Sequence, residues 1–200
     1  MIRIGIVDYG LGNVGSLINI LEDYSCEVLL TNQPKELKVC DKIILSGVGS
    51  YNLGMINLRR LKLDSFIKEY ISKENKKLLG ICLGFQLLGK NSEEGDESGL
   101  NIFPFEFKRF SESVVKVPHI GWNYVDMPIE KSPNFKNVYY FVHSYLAKWN
   151  PDLEYRNIGI TYYGTPFISF IQTKNIMGCQ FHPEKSGIAG KELLERFLKW

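Results

Sequence analysis

Apolar positions in the first half of the chain fall into two rhythms. Short continuous runs at residues 2–7, 27–30, 42–45 and 78–81 have the length and make-up of strands buried on both faces. Between them, Val14, Leu17, Ile18 and Leu21 recur at helical spacing, as do Leu58, Leu61, Phe66, Ile67, Tyr70 and Ile71. Phe85-Gln86-Leu87-Leu88 takes up a helical rhythm just after the fourth run. Buried strands alternating with helices predict an α/β fold with a parallel sheet. The second half is richer in aromatic and β-branched residues and carries turn signals at Pro118, Pro128, Pro133, Pro151 and Pro166. That change predicts an antiparallel extension of the same sheet, within one domain spanning residues 1–200. Residues 92–99 read as an acidic loop, and Leu193, Leu194, Phe197 and Leu198 predict a closing helix over residues 190–200.

Composition narrows the classes. The 200 residues are 44% hydrophobic and 23% charged, the balance of a soluble globular protein. Lys and Arg number 24 against 22 Asp and Glu, a formal charge of +2. Coating nucleic acid would call for a strongly basic face, so no nucleic-acid partner is expected. No apolar run reaches membrane-spanning length, and residues 1–7 read as a first strand rather than a signal peptide. Neither membrane nor secretion is expected. Cys26, Cys40, Cys82 and Cys179 are scattered, without a CxxC pair, which favours reduced thiols in a cytoplasmic setting. Three of them read as small buried side chains.

Cys82 is the exception. Gly80-Ile81-Cys82-Leu83-Gly84 places a cysteine between glycines where a buried strand meets a helix. A sharp turn of this kind strains its central residue, and flanking glycines relieve the crowding. The side chain then projects at the C-terminal end of the strand, where open α/β sheets bind ligands. The helix start behind it favours a thiolate, and the N–H of Leu83 is free to stabilise an oxyanion. The competing reading is a buried cysteine in an ordinary strand-to-helix turn.

There are three histidines, His119, His143 and His182. His182 lies in Gln180-Phe181-His182-Pro183-Glu184-Lys185-Ser186, where Pro183 pushes it toward extended backbone. Residues two apart on an extended segment share a side, so Glu184 can reach one imidazole nitrogen while the other faces a thiol. The alternative is a surface turn with an incidental His and Glu. Metal-ligand spacing is lacking, so no metal site is expected. His119 and His143 read as packed, hydrogen-bonded residues at strand ends.

Together these segments resemble the triad-type (class I) glutamine amidotransferases, and within them the glutaminase subunits of imidazole glycerol phosphate synthases in histidine biosynthesis. The resemblance rests on Asp8-Tyr9-Gly10 with Gly12-Asn13, Gly47-Val48-Gly49, residues 80–88, Pro118-His119-Ile120-Gly121-Trp122-Asn123, Tyr140-Phe141-Val142-His143-Ser144-Tyr145 and residues 180–186. It implies the flavodoxin-like, three-layer fold of that family, with a mostly parallel central sheet. It implies Cys82 as nucleophile, His182 as general base and acid, and Glu184 as its orienter. Leu83 with Val48 and Gly49 would form the oxyanion hole. Gly49, Gln86, Glu94, Ser144 and Tyr145 would contact L-glutamine. Asn13, His119, Trp122, Asn123 and Lys185 match segments that face a (β/α)8-barrel cyclase subunit, the ammonia acceptor. Trp122 also reads as a core residue capping a strand. The resemblance implies no cofactor.

One position departs from the family. Ser46 stands where proline is usual, which leaves the behaviour of the adjacent strand end open. A paralogous subunit supplying ammonia to a sugar amidotransferase, for surface glycans or flagellin glycosylation, therefore stays open. So do a subunit for pyridoxal phosphate synthesis, a silent scaffold on a barrel enzyme, and a free-standing thiol hydrolase.

Overall fold

The computed structural model describes residues 1–12, 14–127, 138–149 and 157–200. Five parallel strands make the centre: β1 (Ile2–Val7), β2 (Cys26–Thr31), β3 (Lys42–Gly47), β4 (Lys77–Cys82) and β12 (Ile176–Cys179). Their spatial order is β2-β1-β3-β4-β12. Beyond β12 the sheet turns antiparallel through β11 (Thr165–Gln172), β9 (Tyr145–Lys148) and β6 (Glu106–Arg109), with short β5 (Asn91–Ser92) at the edge. β10 (Ile158–Tyr163) pairs with β11. A separate antiparallel ribbon joins β7 (His119–Tyr124) to β8 (Val138–His143).

Side chains alternate along the central strands, so each strand serves two cores. Ile43, Leu45 and Leu78 pack against α2 (Pro34–Val39), α3 (Tyr51–Arg60), α4 (Leu63–Ile71) and α5 (Leu83–Leu87). Ile44, Leu79 and Ile81 face the other way, against α1 (Gly15–Leu21) and α6 (Gly187–Lys199). The result is the three-layer α/β arrangement with a mostly parallel sheet and an antiparallel extension. Burial on both faces explains why these strands read as unbroken apolar runs.

Several local expectations are revised. β3 and β4 each run further than the apolar runs indicate, ending on Gly47 and Cys82, which pair with each other. α6 begins at Gly187, three residues before the expected start, and its Gly190 packs directly on the carbonyl of Pro183. Pro166 lies inside β11, opposite Tyr162; Gly164, at φ +68, makes the turn instead. Pro128, Pro133 and Pro151 fall outside the described residues. α2 has no counterpart in the apolar pattern, although Pro34 at its first turn is a helix-start signal. All four cysteines are free thiols; Cys40, Cys82 and Cys179 are buried and Cys26 is half-buried.

Candidate active site

β4 ends on Cys82, which adopts φ 52 and ψ −109 and caps the N-terminus of α5. A non-glycine residue held there is strained, and such strain concentrates at functional sites. The neighbouring glycines explain how the turn is packed. A Cβ on Gly84 would overlap the Leu45 carbonyl oxygen, and one on Gly80 would come within 3.1 Å of the Phe85 backbone. α5 is only five residues long, so the dipole behind the thiol is short. As the first residue of α5, Leu83 has an N–H without an intrahelical acceptor.

Cys179 ends β12, the parallel neighbour of β4, and the chain then carries His182 to the same end of the sheet. The backbone of His182 is extended, at φ −101 and ψ 96, as the following proline demands. Glu184 does not continue that extension: Pro183–Lys185 closes into a 3-10 turn. The turn still brings Glu184 Oε1 to 2.7 Å from His182 Nδ1. Ser186 secures the segment from below, its hydroxyl donating to the His182 carbonyl at 2.5 Å and accepting from the Tyr140 N–H at 3.0 Å. His182 Nε2 is buried and has no hydrogen-bond partner among the described residues.

Charge links this ring to the sulfur. Burial lowers the His182 pKa, but neighbouring Cys82 and Glu184 raise it, and the rises prevail, to about 10. His182 therefore favours its protonated form, with Cys82 and Glu184 as the neighbours responsible.

Cys82 opens into a cavity of about 290 Å³ lined by Val48, Gly49, Leu83, Gln86, Glu94 and Tyr145, with Pro118, Val142, His143 and Ser144 completing the wall. Gly49 adopts φ +115, a conformation suited to glycine, where the chain leaves β3 toward α3. Glu94 accepts the Tyr51 N–H at 3.2 Å, and burial raises its pKa. Gln86 donates to Gln180 Oε1 at 3.1 Å and to the Tyr145 carbonyl at 3.5 Å. A strained thiol, an imidazole paired with a carboxylate, and a pocket of amino-acid size can support acyl transfer from a small amide.

Comparison with known proteins agrees with this chemistry. The family described as "Glutamine amidotransferase class-I" matches residues 5–200. This chain belongs to the class-I glutamine amidotransferases. It is 41% identical to imidazole glycerol phosphate synthase subunit HisH 2 of Methanococcus maripaludis, over 98% of each chain. The HisH subunit of Prochlorococcus marinus is 40% identical, covering 100% of this chain and 98% of that one. Among solved structures, PurLQS from Thermotoga maritima superposes with a TM-score of 0.74 at 18% identity, covering 99% and 98% of the two chains. Another, described as a glutamine amidotransferase, gives 0.73 at 13% identity over 98% and 97%. At these identities the structural likeness is one of fold.

For a class-I glutamine amidotransferase, the residues singled out in the sequence fall in two places. Cys82, Leu83, Val48, Gly49, Gln86, Glu94, Ser144 and Tyr145 all line one cavity, with His182 and Glu184 buried beside the sulfur. The set expected to face a partner is less uniform. Trp122 is 58% exposed, a surface residue rather than a core cap, and Lys185 is exposed with its ammonium 6.0 Å above the Tyr140 ring. Asn123 is half-buried. The His119 side chain turns inward and is 3% exposed, because odd positions of β7 face the core. Asn13 lies outside the described residues. Gln180 escaped the sequence reading: its amide lies 3.8 Å from Cys82 Sγ. Its place two residues before His182 was the available signal.

Among the described residues no cluster of His, Cys, Asp and Glu could hold a metal ion, and no helix is long and apolar enough to cross a membrane.

Proposed function

We propose that this chain is the glutaminase subunit of an imidazole glycerol phosphate synthase, a single domain over residues 1–200 acting in the cytoplasm. It hydrolyses L-glutamine to glutamate and ammonia and delivers the ammonia to a (β/α)8-barrel cyclase subunit. The observation that carries the chemistry is the His182–Glu184 contact at 2.7 Å beside the strained Cys82. The pathway is supported by relatives about 40% identical over nearly the whole chain, each named as that synthase's HisH subunit.

The Cys82 thiolate attacks the carboxamide carbon of glutamine. The oxyanion rests on the N–H of Leu83 and on a second donor from Val48 or Gly49; loss of one such donor costs roughly 3–4 kcal/mol of barrier. Forming the thioester removes the negative charge on sulfur that helps hold the proton on His182. The ring's acidity therefore rises as the ammonia leaves, and the proton passes to it. His182, now neutral, takes a proton from water, which hydrolyses the γ-glutamyl thioester and releases glutamate. Glu184 fixes the ring tautomer and steadies its positive charge. The exposed face of β7, with Trp122 and neighbouring Asn123, together with Lys185, is where the cyclase docks.

The test is co-purification of the tagged chain, followed by turnover of the complex with glutamine or with ammonium salts. Glutamine-dependent synthesis of imidazole glycerol phosphate supports the reading. A barrel partner of different activity, or none, overturns it.

A further inference from the structure

Two buried histidines beside the pocket take no part in that chemistry. His119 opens β7 and His143 closes β8, and the ribbon register sets them opposite each other. His119 Nδ1 lies 3.1 Å from His143 Nε2, and His143 Nδ1 lies 2.8 Å from the Tyr145 carbonyl. On the outer side, Asn123 Nδ2 lies 3.3 Å from His119 Nε2 and 3.1 Å from the Tyr162 carbonyl.

We propose that Asn123, His119 and His143 form a one-directional hydrogen-bond relay that positions the Ser144–Tyr145 backbone for glutamine, with its outer end at the half-buried Asn123. This rests on the glutaminase reading of the site.

The direction is fixed by which atoms can donate. A carbonyl only accepts, so His143 must carry its proton on Nδ1 to meet Tyr145. Its Nε2 is then a bare acceptor, which requires the proton of His119 on Nδ1. His119 Nε2 in turn accepts from the Asn123 amide, whose second hydrogen goes to Tyr162. Every ring nitrogen is satisfied when both rings are neutral. Burial lowers the pKa of His119 to about 4 and that of His143 to about 3, in keeping with this assignment. Packing holds the rings in place. His119 is stacked between Phe141 (4.9 Å) and Tyr163 (4.0 Å), and Phe110 lies 5.3 Å from His143.

The inner end reaches the substrate side. The Tyr145 carbonyl receives both His143 and Gln86, so the turn between β8 and β9 is held by two donors where His143, Ser144 and Tyr145 line the cavity. The outer end, Asn123, lies between the exposed Trp122 and Tyr124. The positioning groups thus run from half-buried Asn123 to the cavity wall through side chains alone.

Calorimetric titration of L-glutamine into the full-length Cys82→Ser chain tests this. Tight enough binding to measure is expected; its absence would sink the glutaminase reading and the relay with it. Added to that background, His143→Phe should weaken glutamine binding about 10-fold, the effect of losing one positioning hydrogen bond. His143→Asn, whose amide can replace the Nδ1 donor, should restore most of the loss. His119→Phe should weaken binding by about threefold, since its stack survives and only one link is cut. Unchanged affinity in both phenylalanine variants, with the parent binding normally, overturns the relay alone. Nitrogen-15 spectra of the parent give a second readout that needs no folded variant. Both rings should show the Nδ1–H tautomer at neutral pH, and an Nε2–H tautomer in either ring overturns the proposal.

Discussion

Cys82 holds φ 52 in a region that disfavours side chains by about 1–2 kcal/mol. Glycine would relieve that strain while adding roughly 0.5–1 kcal/mol of unfolded-chain entropy. Cys82→Gly should therefore be more stable than Cys82→Ala by about 0.5–1 kcal/mol in urea unfolding; equal midpoints would mean the turn is unstrained. Cys82→Ser should lose glutamine-dependent turnover by at least ~10³-fold while the complex still uses ammonia. His182 adds a pH signature. Its folded pKa, about 10, lies above the ordinary 6.5, so the stabilisation is complete below 6.5 and disappears as pH rises through 10. The melting temperature should fall between pH 7 and 10.5, and Cys82→Ala, lacking the charge that raises the ring, should flatten that fall. The meeting of Cys82, His182 and Glu184 at one end of the sheet was legible because each sits in a short motif of suggestive spacing. The pairing of His119 with His143 was not, since it depends on ribbon register across 24 positions.

Among the elements, the short 3-10 turn at Pro183–Lys185 matters most, because it aims Glu184 at His182. α6 presses on it backbone to backbone, where Gly190 meets the Pro183 carbonyl. Gly190→Ala should push the turn away and lower kcat by roughly 10²-fold, the known sensitivity to ångström-scale misplacement. Circular dichroism should show the fold retained; an unchanged kcat would mean the turn tolerates the shift. The sequence indicated extended backbone through this segment, which was right for His182 and wrong for Pro183 and Glu184. Proline restricts the residue before it, while the path of the chain beyond it is set by the Ser186 bonds and by α6. The central strands were readable because burial on both faces leaves an unbroken apolar run. α2 was not, because Leu37 is its only buried residue and leaves no periodic stripe.

For the whole molecule, the exposed row Ile120, Trp122 and Tyr124 on β7 is the surface on which the proposed partner acts. Trp122→Ala should weaken the complex by about 2 kcal/mol in a binding titration, with the chain alone still folded. The isolated chain should hydrolyse glutamine slowly; full activity alone would remove any need for partner control. Sheet order carries a different implication. β12, the last strand of the chain, is inserted between β4 and β11 rather than added at an edge. During synthesis on the ribosome, the sheet must wait with its middle gap unfilled until residues 176–179 emerge, and His182 arrives just after them. On the proposed mechanism, a nascent chain that stops short of residue 182 carries the thiol without its proton partner, so glutamine hydrolysis is expected only once the whole sheet has closed.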